Sequence, residues 1–194
     1  TQATDWMDDA IVPRWGFMHR SRMIVGGATA LHAVYTSVLN NHSDFLNSGT
    51  LYDEVYPGEG EIIVGGISWR ERAYLFKYPA GIYRLDDSSL DTADWGWKRV
   101  SRYVGAVSHA SIVEADDEVY FVSPDGFIHT LSSVQEYGDV QSSAVKGLEI
   151  GPYIRAYTDF SKLPLTSSSS WMNYPTIKAT YYAKKKKVFF AFSP

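Results

Sequence analysis

The chain has 194 residues, of which 45% are hydrophobic, so it can bury a core and is not intrinsically disordered. It contains no cysteine, which excludes disulfides, thiolate metal sites and cysteine nucleophiles. A formal net charge of −4 argues against broad electrostatic capture of nucleic acid, and no apolar run reaches the length of a membrane span.

Both ends of the sequence suggest a piece of a longer protein. The first ten residues lack the pattern of a signal peptide. The last two, Ser193 and Pro194, directly follow a strand-like run. We therefore expect residues 1–194 to form a single β-rich domain that is a fragment of a longer chain.

Short strands joined by turns make up the first half of the sequence. In a first unit, residues 15–38, Gly26-Gly27 separates two strand-like runs. In a second unit, residues 61–86, a charged turn at 70–72 divides two apolar runs, and Pro79 to Gly81 marks a tight turn before the next strand.

Two further units follow the same plan. In the third, residues 103–134, an acidic turn at 114–117 leads into an apolar strand that ends at Asp125-Gly126, a strong hairpin signal. In the fourth, residues 177–194, two strands flank the basic turn 184–187. The segment 132–146 is compatible with one short helix.

The repeated order of strand, charged turn, apolar strand, turn and strand predicts an all-β fold. The strong strands recur about 45–70 residues apart, near the blade length of a β-propeller that carries insertions. We predict β-propeller-like repeated antiparallel hairpins, as a fragment or partial propeller. A β-sandwich is the alternative, since it also contains short strands at even spacing.

No residue pattern indicates catalysis or a cofactor. The five histidines are scattered and lack metal-ligand spacing. The paired acids, such as Asp86-Asp87 and Asp116-Asp117, fall in predicted turns, where aspartate is favoured by local hydrogen bonds. We predict no enzyme activity, no cofactor, no metal site and no membrane span.

The only basic cluster consists of Lys184, Lys185, Lys186 and Lys187. In a turn between strands, such lysines stay solvated and discourage edge-to-edge pairing of strands. Contact with phosphate is the functional alternative for these four residues.

The order of several short segments resembles that of a known group of virion proteins. An aromatic–Gly–aromatic triplet at residues 15–17 precedes Arg20, Arg22 and a short apolar strand, and Asp44-Phe45 follows the next strand. A hairpin at 74–84, a small-residue stretch at 105–111 and the hairpin turn 121–126 come next.

This order is similar to that of tail-tube and nozzle proteins of short-tailed phages (the tail tubular protein B-like type). The resemblance covers residues 15–153, and the inserts at 88–98 and 161–174 have no counterpart in it. It implies a β-propeller-bearing structural subunit of a phage tail or neck. Such a subunit would form a ring with its own copies and contact other virion proteins. It would be made in the host cytoplasm and reside in the virion.

Two functions follow as hypotheses. The first is a structural subunit of a ring around the DNA channel, where acidic charge lets DNA slide past without specific binding. It predicts exposed tryptophans at subunit contacts, with Trp69, Trp95, Trp97 and Trp171 as candidates. The alternative is a carbohydrate-binding or carbohydrate-active β-propeller, because aromatic platforms bind sugars and paired carboxylates can hydrolyse glycosides.

Overall fold

The computed structural model describes residues 13–27, 30–58, 60–131, 151–158 and 177–192. Within these ranges the chain is mostly β, and every strand pairing is antiparallel. The expected all-β class is therefore confirmed. None of the sheets closes on itself.

Four sheets follow one another along the chain. The first contains β1 (Trp15–His19), β2 (Arg22–Gly26), β3 (Ala33–Thr36) and β4 (Leu51–Glu54). The second contains β5 (Ile62–Trp69), β6 (Arg72–Tyr78), β7 (Ile82–Asp86) and β8 (Gly96–Ser101). The third contains β9 (Ile112–Ala115), β10 (Glu118–Val122) and β11 (Ile128–Thr130). The last, which we call the terminal hairpin, contains β12 (Lys178–Tyr182) and β13 (Lys187–Ala191).

The first two sheets extend beyond the units expected from sequence. Each gains a fourth strand, β4 in the first and β8 in the second, after a long connection. One helix, α1 (Gly151–Tyr157), packs beside the third sheet, with the Arg155 guanidinium 4.8 Å from the ring centre of Phe127. The expected helix at 132–146 lies outside the described residues.

The first hairpin of each of the first three sheets turns in the same way. The turn residues are Arg20-Ser21, Arg70-Glu71 and Asp116-Asp117, and all six have positive φ, between 43° and 63°. Two-residue turns of this hand match the twist of the flanking strands. The charged turns predicted at 70–72 and 114–117 are therefore real. The turn at Arg20-Ser21 was not expected, because it divides a run that the sequence indicated as one strand before Gly26-Gly27.

The hairpin turn at Asp125-Gly126 also forms as expected. Gly126 has a φ of +83°, and its amide donates to the carbonyl oxygen of Ser123 at 2.9 Å. The Asp125 carboxylate accepts from the amide of Phe127 at 2.9 Å. Local hydrogen bonds of this kind are the reason that an Asp-Gly pair between apolar runs predicts a turn.

The second sheet is buried on both faces, which explains its long apolar runs. Along β6, Ala73 and Leu75 point into a core shared with the first sheet. Their neighbours Tyr74 and Phe76 point the other way, into a core shared with the third sheet. A third core, including Val122 and Ile177, lies between the third sheet and the terminal hairpin.

The sheets are thus stacked face to face in chain order. The first strands of neighbouring sheets approach each other directly, β1 with β5, β5 with β9, and β9 with β12. Gly65 and Gly66 lie inside β5. An added Cβ at Gly65 would lie 2.6 Å from the Cα of His109, and one at Gly66 would lie 2.4 Å from the ring of Phe17. The glycine pair is therefore explained by close packing.

Candidate functional site

Two of the four candidate tryptophans, Trp69 and Trp97, are buried. Trp69 is 2% exposed and Trp97 is 7% exposed, and both pack in cores between sheets. The expectation that they are exposed is wrong, because strand alternation turns both rings inward. Trp95 is half-buried, and Trp171 lies outside the described residues.

The lysine cluster is exposed as expected. Ala183, Lys184 and Lys185 form a single 3-10 turn, Lys186 closes it with a φ of +49°, and Lys187 begins β13. All four lysines project from the tip of the terminal hairpin. No carboxylate in the described part of the chain forms an ion pair with them.

Large apolar side chains are exposed instead on the outer face of the first sheet, away from the second sheet. Met18 is 42% exposed and Tyr52 is 52% exposed on this face. The loop after β3 adds Leu39 and Leu46, at 51% and 46%. We call these four residues the end-face patch.

A groove of about 370 Å³ lies beside the end-face patch. Gly16, Met23 and Val25 from β1 and β2 line it together with His42 and Phe45 from the loop after β3. The loop is fixed in place by Asp44, whose carboxylate accepts from the amides of two following residues and from the side chain of Asn47. These bonds lower the pKa of Asp44, the Asn47 side chain contributing most.

A second groove, of about 400 Å³, lies between the outer strands of the first two sheets. The residues that line it are Asp53, Glu54, Val55, Tyr56, Trp95, Gly96 and Trp97. We call it the aromatic–acidic groove. It unites two segments that are about 40 residues apart in sequence.

The aromatic and acidic groups of this groove are held by their neighbours. The Trp95 indole donates to the carbonyl oxygen of Ser89 at 2.9 Å, and the Arg99 guanidinium lies 4.9 Å from the ring centre of Tyr56. Burial raises the pKa of Asp53. A carboxylate that has lost water in this way gains from hydroxyl or amide donors of a ligand.

One arrangement has the residue types of a hydrolase triad. The Ser68 hydroxyl lies 2.8 Å from His19 Nδ1, and Asp87 Oδ2 lies 2.9 Å from His19 Nε2. The same Asp87 oxygen also binds the Arg20 guanidinium at 2.8 Å, so it is not reserved for the imidazole. His19 is 2% exposed, and neither groove is lined by any of these residues.

We interpret these residues as a tie between sheets. His19 ends β1, Ser68 lies in β5 and Asp87 follows β7, so the two hydrogen bonds join the first sheet to the second. The three residues are up to 68 positions apart, and their spacing carries no motif, so sequence patterns gave no signal for them.

The described ranges hold no group of three His, Asp or Glu side chains that could bind a metal ion. Nor do they include a helix long and apolar enough to span a membrane. Comparison with known proteins found no matching protein family and no matching curated protein.

Proposed function

We propose that the chain is a structural subunit of a bacteriophage tail or neck, and that its copies assemble into a ring around the DNA channel. In this proposal the four stacked sheets are successive blades of a β-propeller, part of whose ring they form. The order of segments that resembles nozzle-type proteins motivates the proposal. The subunit would contact other virion proteins and would be made in the host cytoplasm.

The stacking of the sheets supports the blade interpretation. Blades of a propeller are antiparallel sheets of about four strands, arranged radially in chain order with their first strands innermost. Here β1, β5, β9 and β12 each begin a sheet, and each approaches the next along the chain. A two-sheet sandwich would have one core, whereas the described part of this chain has three, each between successive sheets.

The end-face patch is the single observation that carries the assembly proposal. Met18, Leu39, Leu46 and Tyr52 are each at least 42% exposed. Met18 and Tyr52 lie on the two edge strands of the first sheet, and Leu39 and Leu46 lie in the loop after β3. Exposed apolar area on one side of a domain favours contact with another protein. We propose this patch as the contact between subunits, in place of the buried Trp69 and Trp97.

Electron microscopy of the purified 194-residue chain, together with its mass in solution by light scattering, tests this function. We expect rings, or a defined oligomer, at micromolar concentration. A strictly monomeric chain at the highest attainable concentration would contradict the assembly.

The aromatic–acidic groove favours a second candidate function, the binding of a carbohydrate. Sugars bind where an aromatic ring covers their C–H face and carboxylates accept their hydroxyl protons. Trp95 and Tyr56 provide the rings, and Asp53 provides a carboxylate acceptor. The volume of about 400 Å³ suits one or two sugar rings.

A glycan array tests this second function. Binding should be lost in Trp95→Ala and Tyr56→Ala and retained in Tyr103→Ala, a control at a 59% exposed tyrosine outside the groove. An array without any bound glycan would remove the candidate.

A further inference from the structure

The terminal hairpin is strongly basic, whereas the rest of the chain is acidic. It holds five of the chain's 18 basic residues, Lys178 and residues 184–187, and none of its 22 acidic residues. The hairpin therefore carries +5, while the remainder of the chain carries −9. The overall net charge conceals this difference.

The register of the two strands aligns the charges with aromatic rings. Lys178 is paired with Ala191, Thr180 with Phe189, and Tyr182 with Lys187. All six side chains are exposed and share one face of the hairpin, because alternate residues of a strand point the same way. Phe189 is 52% exposed and Tyr182 is 43% exposed.

The opposite face of the hairpin is anchored to the protein. Ala179, Tyr181, Val188 and Phe190 are half-buried there, and the Tyr181 hydroxyl donates to Asp116 Oδ1 at 2.6 Å. Asp116 belongs to the turn of the third sheet. The charged and aromatic face is thus held outward on a fixed support.

Protection against strand pairing explains only part of this composition. Lysines on strands do block edge-to-edge association. Lys184, Lys185 and Lys186, however, lie in the turn, where no strand edge exists to protect. Protection also does not account for an exposed Phe189 beside them.

We propose that this face and turn of the terminal hairpin bind the phosphate backbone of a nucleic acid without reading its sequence. Lysines lie at both ends of this face, which is about 17 Å long, the length of a five-residue strand. The rings of Tyr182 and Phe189 lie on the face between Lys178 and the lysines of the turn. A nucleic acid strand laid along this face places phosphates on the lysines and unpaired bases on Tyr182 and Phe189.

A membrane surface fits the hairpin less well. The tip of the hairpin consists of lysines, so the rings behind it could reach the lipid tails only by burying those charges. The proposal concerns the hairpin alone and does not depend on the formation of a ring.

The salt dependence of oligonucleotide binding by the whole chain tests this inference. Fluorescence anisotropy is measured with a labelled 20-nucleotide oligo-dT and with a duplex of the same length, over a series of salt concentrations. For single strands, log K falls with log salt with a slope of about −0.7 per neutralised phosphate. For the double variant Lys184→Gln/Lys185→Gln, the slope of log K against log salt should therefore be less negative than for wild type by about 1.4.

A charge-matched control separates the hairpin from general electrostatics. Arg72→Gln/Arg102→Gln removes the same two charges at exposed positions outside the hairpin. It should leave the slope unchanged. Equal loss of slope in both double variants, or no oligonucleotide binding by the wild-type chain at low salt, would overturn the proposal.

The two aromatic rings give a second measurement. Phe189→Ala and Tyr182→Ala should each weaken binding of oligo-dT about fivefold or more and leave duplex binding nearly unchanged, since only unpaired bases stack. Circular dichroism confirms that each variant is folded. Tighter binding to anionic phospholipid vesicles than to either oligonucleotide would show that the hairpin binds lipid headgroups instead, and would also overturn the proposal.

Discussion

Arg70 and Asp117 occupy the two-residue turns of successive sheets, and the Arg70 guanidinium donates two hydrogen bonds to the Asp117 carboxylate and one to its carbonyl oxygen. Arg70 Nη2 donates to one carboxylate oxygen of Asp117 at 2.8 Å, and Nε donates to the other at 3.2 Å. The pair shows that these turns lie at one end of the stack, side by side. The Arg70 guanidinium also lies 4.3 Å from the ring centre of Trp69, which ends β5.

The Arg70–Asp117 pair predicts a pH-dependent contribution to stability. Hydrogen bonds from Arg70 hold the pKa of Asp117 below its ordinary value of 3.8. A carboxylate with a lowered folded-state pKa stabilises the fold above its unfolded pKa, and this contribution is lost as pH falls through the folded value. We expect Arg70→Gln to lower Tm slightly at pH 7 in low salt, and to have no effect near pH 2.

Thermal unfolding at several pH values, with and without 1 M salt, measures this effect. The difference between wild type and Arg70→Gln should shrink in high salt, because both side chains are more than half exposed. A difference that persists at pH 2 would show that Arg70 acts through Trp69 and not through Asp117.

Substitution of Gly65 should weaken the contact between β5 and the 3-10 turn at His109, which precedes β9. The added methyl group of Gly65→Ala would meet the backbone of His109, which cannot move aside as a flexible side chain would. We expect a loss of about 1–3 kcal/mol in the free energy of unfolding, measured by urea denaturation.

Gly96→Ala is the matched control for this variant. A Cβ at Gly96 has no neighbour within 4 Å, so its unfolding free energy should change by no more than about 0.5 kcal/mol. Equal stability of the two variants would contradict the close approach of β5 to His109.

Loss of His19 should loosen the tie between the first and second sheets. His19→Ala leaves the partly buried Ser68 and Asp87 side chains without their imidazole partner and should lower the unfolding free energy by about 1–3 kcal/mol. The control His42→Ala, in the exposed part of the loop after β3, should cost little.

The same region can be tested for chemistry. If Ser68, His19 and Asp87 only join sheets, a fluorophosphonate probe should not label Ser68 in the folded chain. Labelling that disappears in His19→Ala would instead indicate an activated serine and contradict the structural role.

If the proposed assembly forms, polar substitutions in the end-face patch should disrupt it without unfolding the chain. Met18→Ser/Leu46→Ser removes exposed apolar surface that makes no core contact. We expect the oligomer to dissociate at concentrations at least tenfold higher than for wild type, by mass photometry, with Tm nearly unchanged. Trp69→Ala, in the core, should instead leave the dissociation concentration unchanged and lower the free energy of unfolding by about 3–5 kcal/mol.

The sequence by itself determined several of the strands and the turns between them. The apolar runs at β6 and β10, the charged turns at Arg70-Glu71 and Asp116-Asp117, and the Asp125-Gly126 hairpin were all predicted. Their causes lie within a few residues, since turn geometry and strand pairing of neighbours depend on local φ preferences and side-chain alternation.

Only the tertiary structure decided which of these residues are accessible and which meet. It buried Trp69 and Trp97, since the second sheet is covered on both faces. It also assembled the aromatic–acidic groove and the contacts of His19 with Ser68 and Asp87 from segments about 40 to 68 residues apart. Such contacts depend on how sheets stack, and stacking is set by the combined apolar surfaces of whole sheets, which no local pattern records.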